Sequence, residues 1–464
     1  MMRSLFLPIL VPLTFTLAAC GGGTSTDVAT RATAIDTKLP PMNVFAAERA
    51  APPTRANSEM VRDFLDLSFK MESGKTLATL TRFEEPITVR VAGAAPASLN
   101  TDLARLIDRL RNEAGIDISR ASGSAPANLN IEAVPSREMR RLAPSAACFV
   151  VPRITSWADY KRNRKTSLVD WTTLDRRETM AIFVKSDESP QEIRDCLHEE
   201  VAQALGPVND LFRLPDSVFN DDNMQNVLTG FDMLMLRAYY DPALKNGMSR
   251  NQVAEILPGL LARLNPRGEG RSPNYLPSTT PAWVSAVQEA LGPRGSLGNR
   301  RAAAQRAVSI AQAEGWTDHR RGFSHYIVGR LSVSSQAEAA LAAFLKADAF
   351  YAKSPLTDVH RAHVGVQLTA YALSAGQATS ALELANRHMP PLARSQNAAL
   401  MANLMMMKSE ALELLDRPAE ARNVRLDSLG WARYGFADAN EVRRRQAEIA
   451  ALAPRRTAAG SGNG

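Results

Sequence analysis

Glu199, Glu200 and Gln203 set two carboxylates and an amide within five residues of one another. Such a set could move a proton, hold a divalent ion or grip the polar groups of a ligand. They lie in the stretch 189–210, S-P-Q-E-I-R-D-C-L-H-E-E-V-A-Q-A-L-G-P-V-N-D, whose spacing predicts one bounded helix. Ser189 can cap it, Pro190 suits the first helical position, and Glu192 completes a capping box. Gly206 followed by Pro207 ends it. At about 100° per residue, Ile193, Leu197, Val201, Ala204 and Leu205 form an apolar stripe that must face a core. Cys196, Glu199, Glu200 and Gln203 fall together on the flank beside that stripe.

The His198-Glu199 pair invites a zinc-peptidase reading, which fails in its simple form. H-E-x-x-H needs a second imidazole four residues on, and Ala202 stands there. Gln203 is about 140° around the helix from His198. One residue later the frame reads E-E-x-x-Q-x-x-G-x-x-N, through Glu199, Glu200, Gln203, Gly206 and Asn209. This resembles the zincin frame H-E-x-x-H-x-x-G-x-x-H. The resemblance puts Glu199 and Gln203 in the places of two metal ligands, with Asn209 or Asp210 as a third. Glu200 takes the general-base position. A Glu/Gln/Asn set is a poor one for zinc, so the expectation is a degenerate, metal-free site with no cofactor. The alternative is a metallopeptidase with an unorthodox ligand set, in which zinc or another divalent ion would be held by those residues.

Residues 1–19 carry Arg3 and an apolar run through Leu17, and Leu17-Ala18-Ala19-Cys20 closes the run. The run is short for a spanning helix and reads as a secretory signal. It resembles bacterial lipoprotein precursors, which implies cleavage before Cys20 and lipidation of its thiol. Gly21 is not the aspartate tied to inner-membrane retention, so the expected address is the cell envelope, facing the periplasm, with the outer membrane favoured. Two thiols remain, Cys148 in the strand-like A-C-F-V-V and Cys196 on the site helix. In an oxidising compartment they are expected to pair and to pin the helix to the sheet. A nucleophilic Cys196 would need a base nearby, and His198 lies about 200° away around the helix.

Residues 20–57 are rich in Ala, Thr and Pro and read as a flexible tether. Order is expected from Ser58, with a helix through Met60, Phe64, Leu65 and Phe69, a strand around Arg90 and an amphipathic helix over 97–114. Strands follow at 129–134, 148–151 and 180–185, then the site helix. Helix, strand, helix, three strands and a long helix is the layout of the zincin upper subdomain. The words E-E-x-x-Q-A-L-G, S-V-F-N-D (217–221) and Y-D-P-x-L-x-x-G-M (240–248) resemble an uncharacterised family of bacterial lipoproteins, a domain of unknown function. That likeness covers about 58–255 and carries no known activity. The fold expected is an α+β zincin-like domain over 58–264, in which Asp232 is a capped acid in a core helix.

A Pro-, Gly- and Ser-dense linker over 265–283 leads to a second region over 284–453, almost wholly helical, and a tail over 454–464. Ala340, Ala381 and Ala421 recur at spacings of 41 and 40, each early in an amphipathic helix. Ala340, Phe344 and Ala347 match the second helix of a tetratricopeptide repeat, although the usual period is about 34. TPR-like helix pairs would stack and offer a concave surface to a protein partner; the alternative is a plain helical bundle. Met401, Met405, Met406 and Met407 read as core, and His360 with His363 as a surface pair.

The formal charge is +7, 45% of the 464 residues are hydrophobic, and the pI is about 9.4. Arginine clusters at 140–141, 300–301, 320–321, 443–445 and 455–456 read as solvated faces that help adhesion to an anionic wall or membrane. No aromatic interleaving suggests nucleic acid, and export argues against it. The expected function is that of a membrane-anchored envelope lipoprotein. Its zincin-like domain would bind a peptide or wall fragment without catalysis, and its helices would bind a protein.

Overall fold

The computed structural model describes residues 39–46, 49–123 and 127–454. The expected signal peptide, the expected lipidation site at Cys20 and the tail from 455 lie outside them.

The first region runs α1 (Asn57–Phe69), β1 (Ile87–Gly93), α2 (Ala97–Ala114), β2 (Ile118–Arg120), β3 (Leu129–Val134), α3 (Ser136–Leu142) and β4 (Cys148–Pro152). It continues through α4 (Trp157–Asn163), β5 (Met180–Lys185), α5 (Pro190–Leu205), α6 (Gly230–Tyr239) and α7 (Arg250–Leu264). The five strands form one mixed sheet in the order β2-β1-β3-β5-β4. Neighbours pair in parallel except β4, which runs antiparallel to β5 with Phe149 opposite Phe183. Side chains alternate across the sheet. Ile182 and Val184 of β5 enter the core shared with α1, α2, α5 and α6, while Ala181 and Phe183 pack on the other face with Met139 and Trp157. The predicted strands are all present. The three-residue β2 was not foreseen.

The second region, among the described residues, comprises nine helices. They are α8 (Pro281–Leu291), α9 (Leu297–Ala313), α10 (His319–Ser332), α11 (Ala337–Tyr351), α12 (Asp358–Ser374), α13 (Ala378–Arg394), α14 (Ala398–Leu414), α15 (Pro418–Gly435) and α16 (Ala439–Ala450). Ala340, Ala381 and Ala421 are each the fourth residue of α11, α13 and α15, and all three are fully buried. Their small side chains let successive helices approach closely. Helices α12, α13 and α14 end alike: Gly376, Gln396 and Asp416 adopt positive φ. The following N–H groups, of Gln377, Asn397 and Arg417, return to Ala372, Leu392 and Leu412. Three Schellman-type turns spaced by 20 residues thus mark these helices as repeats. The four methionines of α14 are buried, as expected.

The two regions share buried structure. Phe212 packs edge-on against Trp283 at 4.9 Å between ring centres, and His360 meets Asp222 at 2.9 Å. His360 is therefore no surface residue, and His363 next to it is also largely buried. The Nε2 of His319 lies against the Phe212 carbonyl. Arg320, read as solvated, is fully buried; it pairs with Asp318, donates to the Pro277 carbonyl and stacks on Trp316 at 3.9 Å. Residues 39–46, read as tether, lie along α15, where the Asn43 N–H donates to the Gly430 carbonyl and Phe45 stacks on Trp431. In the predicted linker, Arg62 of α1 donates to the Leu276 carbonyl, and a helix already begins at Pro281. No helix among the described residues is long and apolar enough to cross a membrane.

Candidate functional site: a cleft between the edge strand and α5

Helix α5 has the limits expected from the sequence. The Ser189 hydroxyl accepts the Glu192 N–H at 3.1 Å, Pro190 occupies the first turn, and the helix closes at Gly206. The reason for glycine at 206 is close approach: a Cβ there would stand 3.0 Å from the Tyr239 ring. The carboxyl end is capped by a residue far away in sequence. Arg177, buried, donates to the carbonyls of Gln203 (2.6 Å), Ala204 (2.8 Å) and Gly206, placing a cation where the helix dipole is negative. Desolvation holds its pKa below the ordinary value.

The disulfide forms between Cys148 and Cys196, with Cα atoms 5.9 Å apart. It joins edge strand β4 to the flank of α5. Along this junction runs a cleft of about 440 Å³. Residues 148–151 point alternately to opposite faces of the sheet, yet all four line the cleft. The cleft therefore follows the strand's open edge, on which no further strand is paired among the described residues. Its floor carries Glu199, Glu200 and Gln203, all buried on α5, with Asp210 beyond. Trp171 and Tyr160 supply aromatic walls, and Glu72, Arg164 and Arg294 complete the charged lining. Four carboxylates thus face two guanidinium groups. Arg294 comes from the turn between α8 and α9, so the helical region takes part.

Of the two residues expected as a third ligand, Asp210 lines this cleft and Asn209 does not: its Nδ2 donates to the Asp66 carbonyl at 2.9 Å. His198 faces the opposite side of α5, where its Nδ1 accepts the Leu228 N–H. Cys196 is consumed by the disulfide. Among the described residues no three His, Cys, Asp or Glu side chains converge as a metal site. Glu199, Gln203 and Asp210 offer neither imidazole nor thiolate, so the donor set does not fit zinc. Asp232 is the capped core acid foreseen. It is fully buried, accepts from Ser217, Val218 and Thr229, and is pushed up to about 6 by burial.

Fold and cleft define an α/β module with a mixed five-stranded sheet, joined to a helical-repeat region. Residues 57–259 match the family model described as "Protein of unknown function (DUF2927)", which spans the α/β region from α1 into α7. Comparison with curated proteins and with solved structures gives no match.

Proposed function

We propose that this is a lipid-anchored envelope protein whose α/β region binds an extended, amine-bearing peptide or wall fragment without cleaving it, while its helical repeats take a protein partner. The observation that carries the reading is the cleft along the open edge of β4, floored by Glu199, Glu200 and Gln203. An extended ligand can add to a strand edge through main-chain hydrogen bonds, with side-chain pockets giving specificity. Here the excess of carboxylates favours ammonium groups on the ligand, and Arg164 and Arg294 suit a carboxylate at one end. The disulfide fixes the spacing of wall and floor, so little ordering is left for binding to oppose.

A zincin-like kinship is supported by the succession of helix, strand, helix, strands and long helix, and by α5 following β5 directly. Catalysis is disfavoured by the donor set: with no imidazole on the carboxylate flank, Glu200 has no metal-activated water to deprotonate. The anchor rests on Leu17-Ala18-Ala19-Cys20 and the apolar run before it. Isothermal titration of the full chain with an extended lysine-bearing peptide tests the binding role. Glu199→Gln should weaken binding about tenfold, the worth of one charge-assisted hydrogen bond. Equal affinity for the glutamate counterpart of that peptide would refute the electrostatic assignment.

A further inference from the structure

On the far side of α5, away from the cleft, lies a second cavity of about 320 Å³. It sits where α2, α5 and α15 meet, with Phe45 and Ala46 of the N-terminal segment at its mouth. Two residues of α5 line it four positions apart, Arg194 and His198, and that spacing stacks side chains on one helix face. Arg194 is 3% exposed. Its Nε and Nη2 both bind Asp195, at 3.1 and 2.6 Å, and its guanidinium lies over the Tyr434 ring at 5.4 Å. Its Nη1 is buried and has no hydrogen-bond partner among the described residues. Water-free burial of such a group is costly unless something pairs with it. The histidine adds a second donor. Because Nδ1 accepts the Leu228 N–H at 3.2 Å, the proton of the neutral ring sits on Nε2, and no group among the described residues takes it. Burial and the nearby Arg109 and Arg194 keep this imidazole neutral.

The Arg194 side chain is held across both regions. Asp195 also accepts from the Asn226 side-chain amide at 2.6 Å, and the Asn226 Oδ1 accepts from the Asn397 Nδ2 at 2.9 Å. Asn397 belongs to the turn before α14, and its own amide oxygen receives the Gln191 amide. Tyr434 of α15 donates to Asp102 of α2 at 2.8 Å. The donors are therefore fixed before any ligand arrives.

We infer that this cavity binds the carboxylate group of a small amphipathic monoacid, with Arg194 Nη1 and His198 Nε2–H at its two oxygens and its apolar body against Leu106 and Phe45. A phosphate fits less well: Arg49, Arg105 and Arg109 share the lining with Asp102, Asp108 and Glu113, three cations against three anions, so Arg194 leaves the cavity one positive charge in excess, which suits a monoanion better than a dianion.

The test uses the full chain, labelled with ¹⁵N-histidine and titrated with straight-chain carboxylates from butyrate to octanoate, their primary amides and inorganic phosphate. The acids should raise the melting temperature and move the His198 Nε2 resonance, while amides and phosphate leave both unchanged. Arg194→Met should weaken acid binding at least tenfold. Should that variant unfold, Ala46→Trp closes the mouth from an exposed position and should abolish the shift with Arg194 in place. Amides binding as well as acids, phosphate binding better, no response to any acid, or an Ala46→Trp variant that still binds would each overturn the assignment. None of these outcomes touches the cleft on the other flank of α5.

Discussion

Cys148 on the edge strand and Cys196 on α5 are joined by a disulfide that spans the wall and floor of the cleft. The bond closes a loop with a sequence separation of 48 and sets how far the carboxylates of α5 stand from the strand edge. On the chain-entropy model a loop of this length is worth about 4 kcal/mol. The double variant Cys148→Ala/Cys196→Ala should lower stability by about that amount in denaturant titration, and it should weaken ligand binding in the cleft more than binding in the cavity behind α5. An unchanged midpoint would show that the cross-link is dispensable.

Arg177 should matter as much as any residue inside the cleft. Replacing it by Met would leave the carbonyls of Gln203, Ala204 and Gly206 buried without a donor. A cost of about 3 kcal/mol is expected, with faster amide exchange in the last turn of α5. Stability within experimental error of wild type would remove the capping role.

The joint between the regions should weaken in acid. Burial and the neighbouring His360 hold His319 down at about 4, against an ordinary 6.5. Its folded form is thus neutral at pH values where the unfolded chain would already bind a proton. Stability contributed by this group is present above pH 6.5 and is lost as pH falls towards 4. The cost approaches about 3 kcal/mol, at 1.36 kcal/mol per pKa unit. His319→Gln keeps a donor for the Phe212 carbonyl and cannot take up a proton. Its stability relative to wild type should rise between pH 7 and pH 4, and parallel pH curves for the two proteins would contradict this. Asp232 slopes the other way. With its carboxyl raised to about 6, the folded state holds the extra proton and loses stability as pH rises from 4 through 6.

Cys20→Ser should abolish lipid labelling and leave the precursor uncleaved or released from the membrane. A mature, lipid-free protein made from the unaltered sequence would refute the anchor.

The local rules were legible in the sequence where one residue decides one feature. Ser189, Pro190 and Gly206 set the ends of α5, alternation gave β1, β3, β4 and β5, and the evenly spaced alanines marked the buried face of the repeats. What stayed hidden depends on partners distant in the chain. Nothing around Arg177 announces that it will cap a helix beginning at Pro190, and Asp222 and His360 are 138 residues apart. Arg320 reads as a surface charge until Trp316, Asp318 and Pro277 close around it. The short β2 carries too few residues for a period, and the 39–46 segment has a linker's composition although α15 supplies it with a surface. In the cleft, the carboxylates of α5 were found by spacing, whereas the strand edge beside them emerged only from the antiparallel placement of β4.

The most direct measurement incubates the full chain, with and without added zinc or chelator, with an extended lysine-bearing wall peptide. Affinity and peptide integrity are followed together by calorimetry and mass spectrometry. The expected result is saturable binding that weakens with salt and with Glu199→Gln or Glu200→Gln, a peptide recovered intact, and indifference to the chelator. Cleavage that disappears with Glu200→Gln and with chelation would contradict the account and make the protein a peptidase.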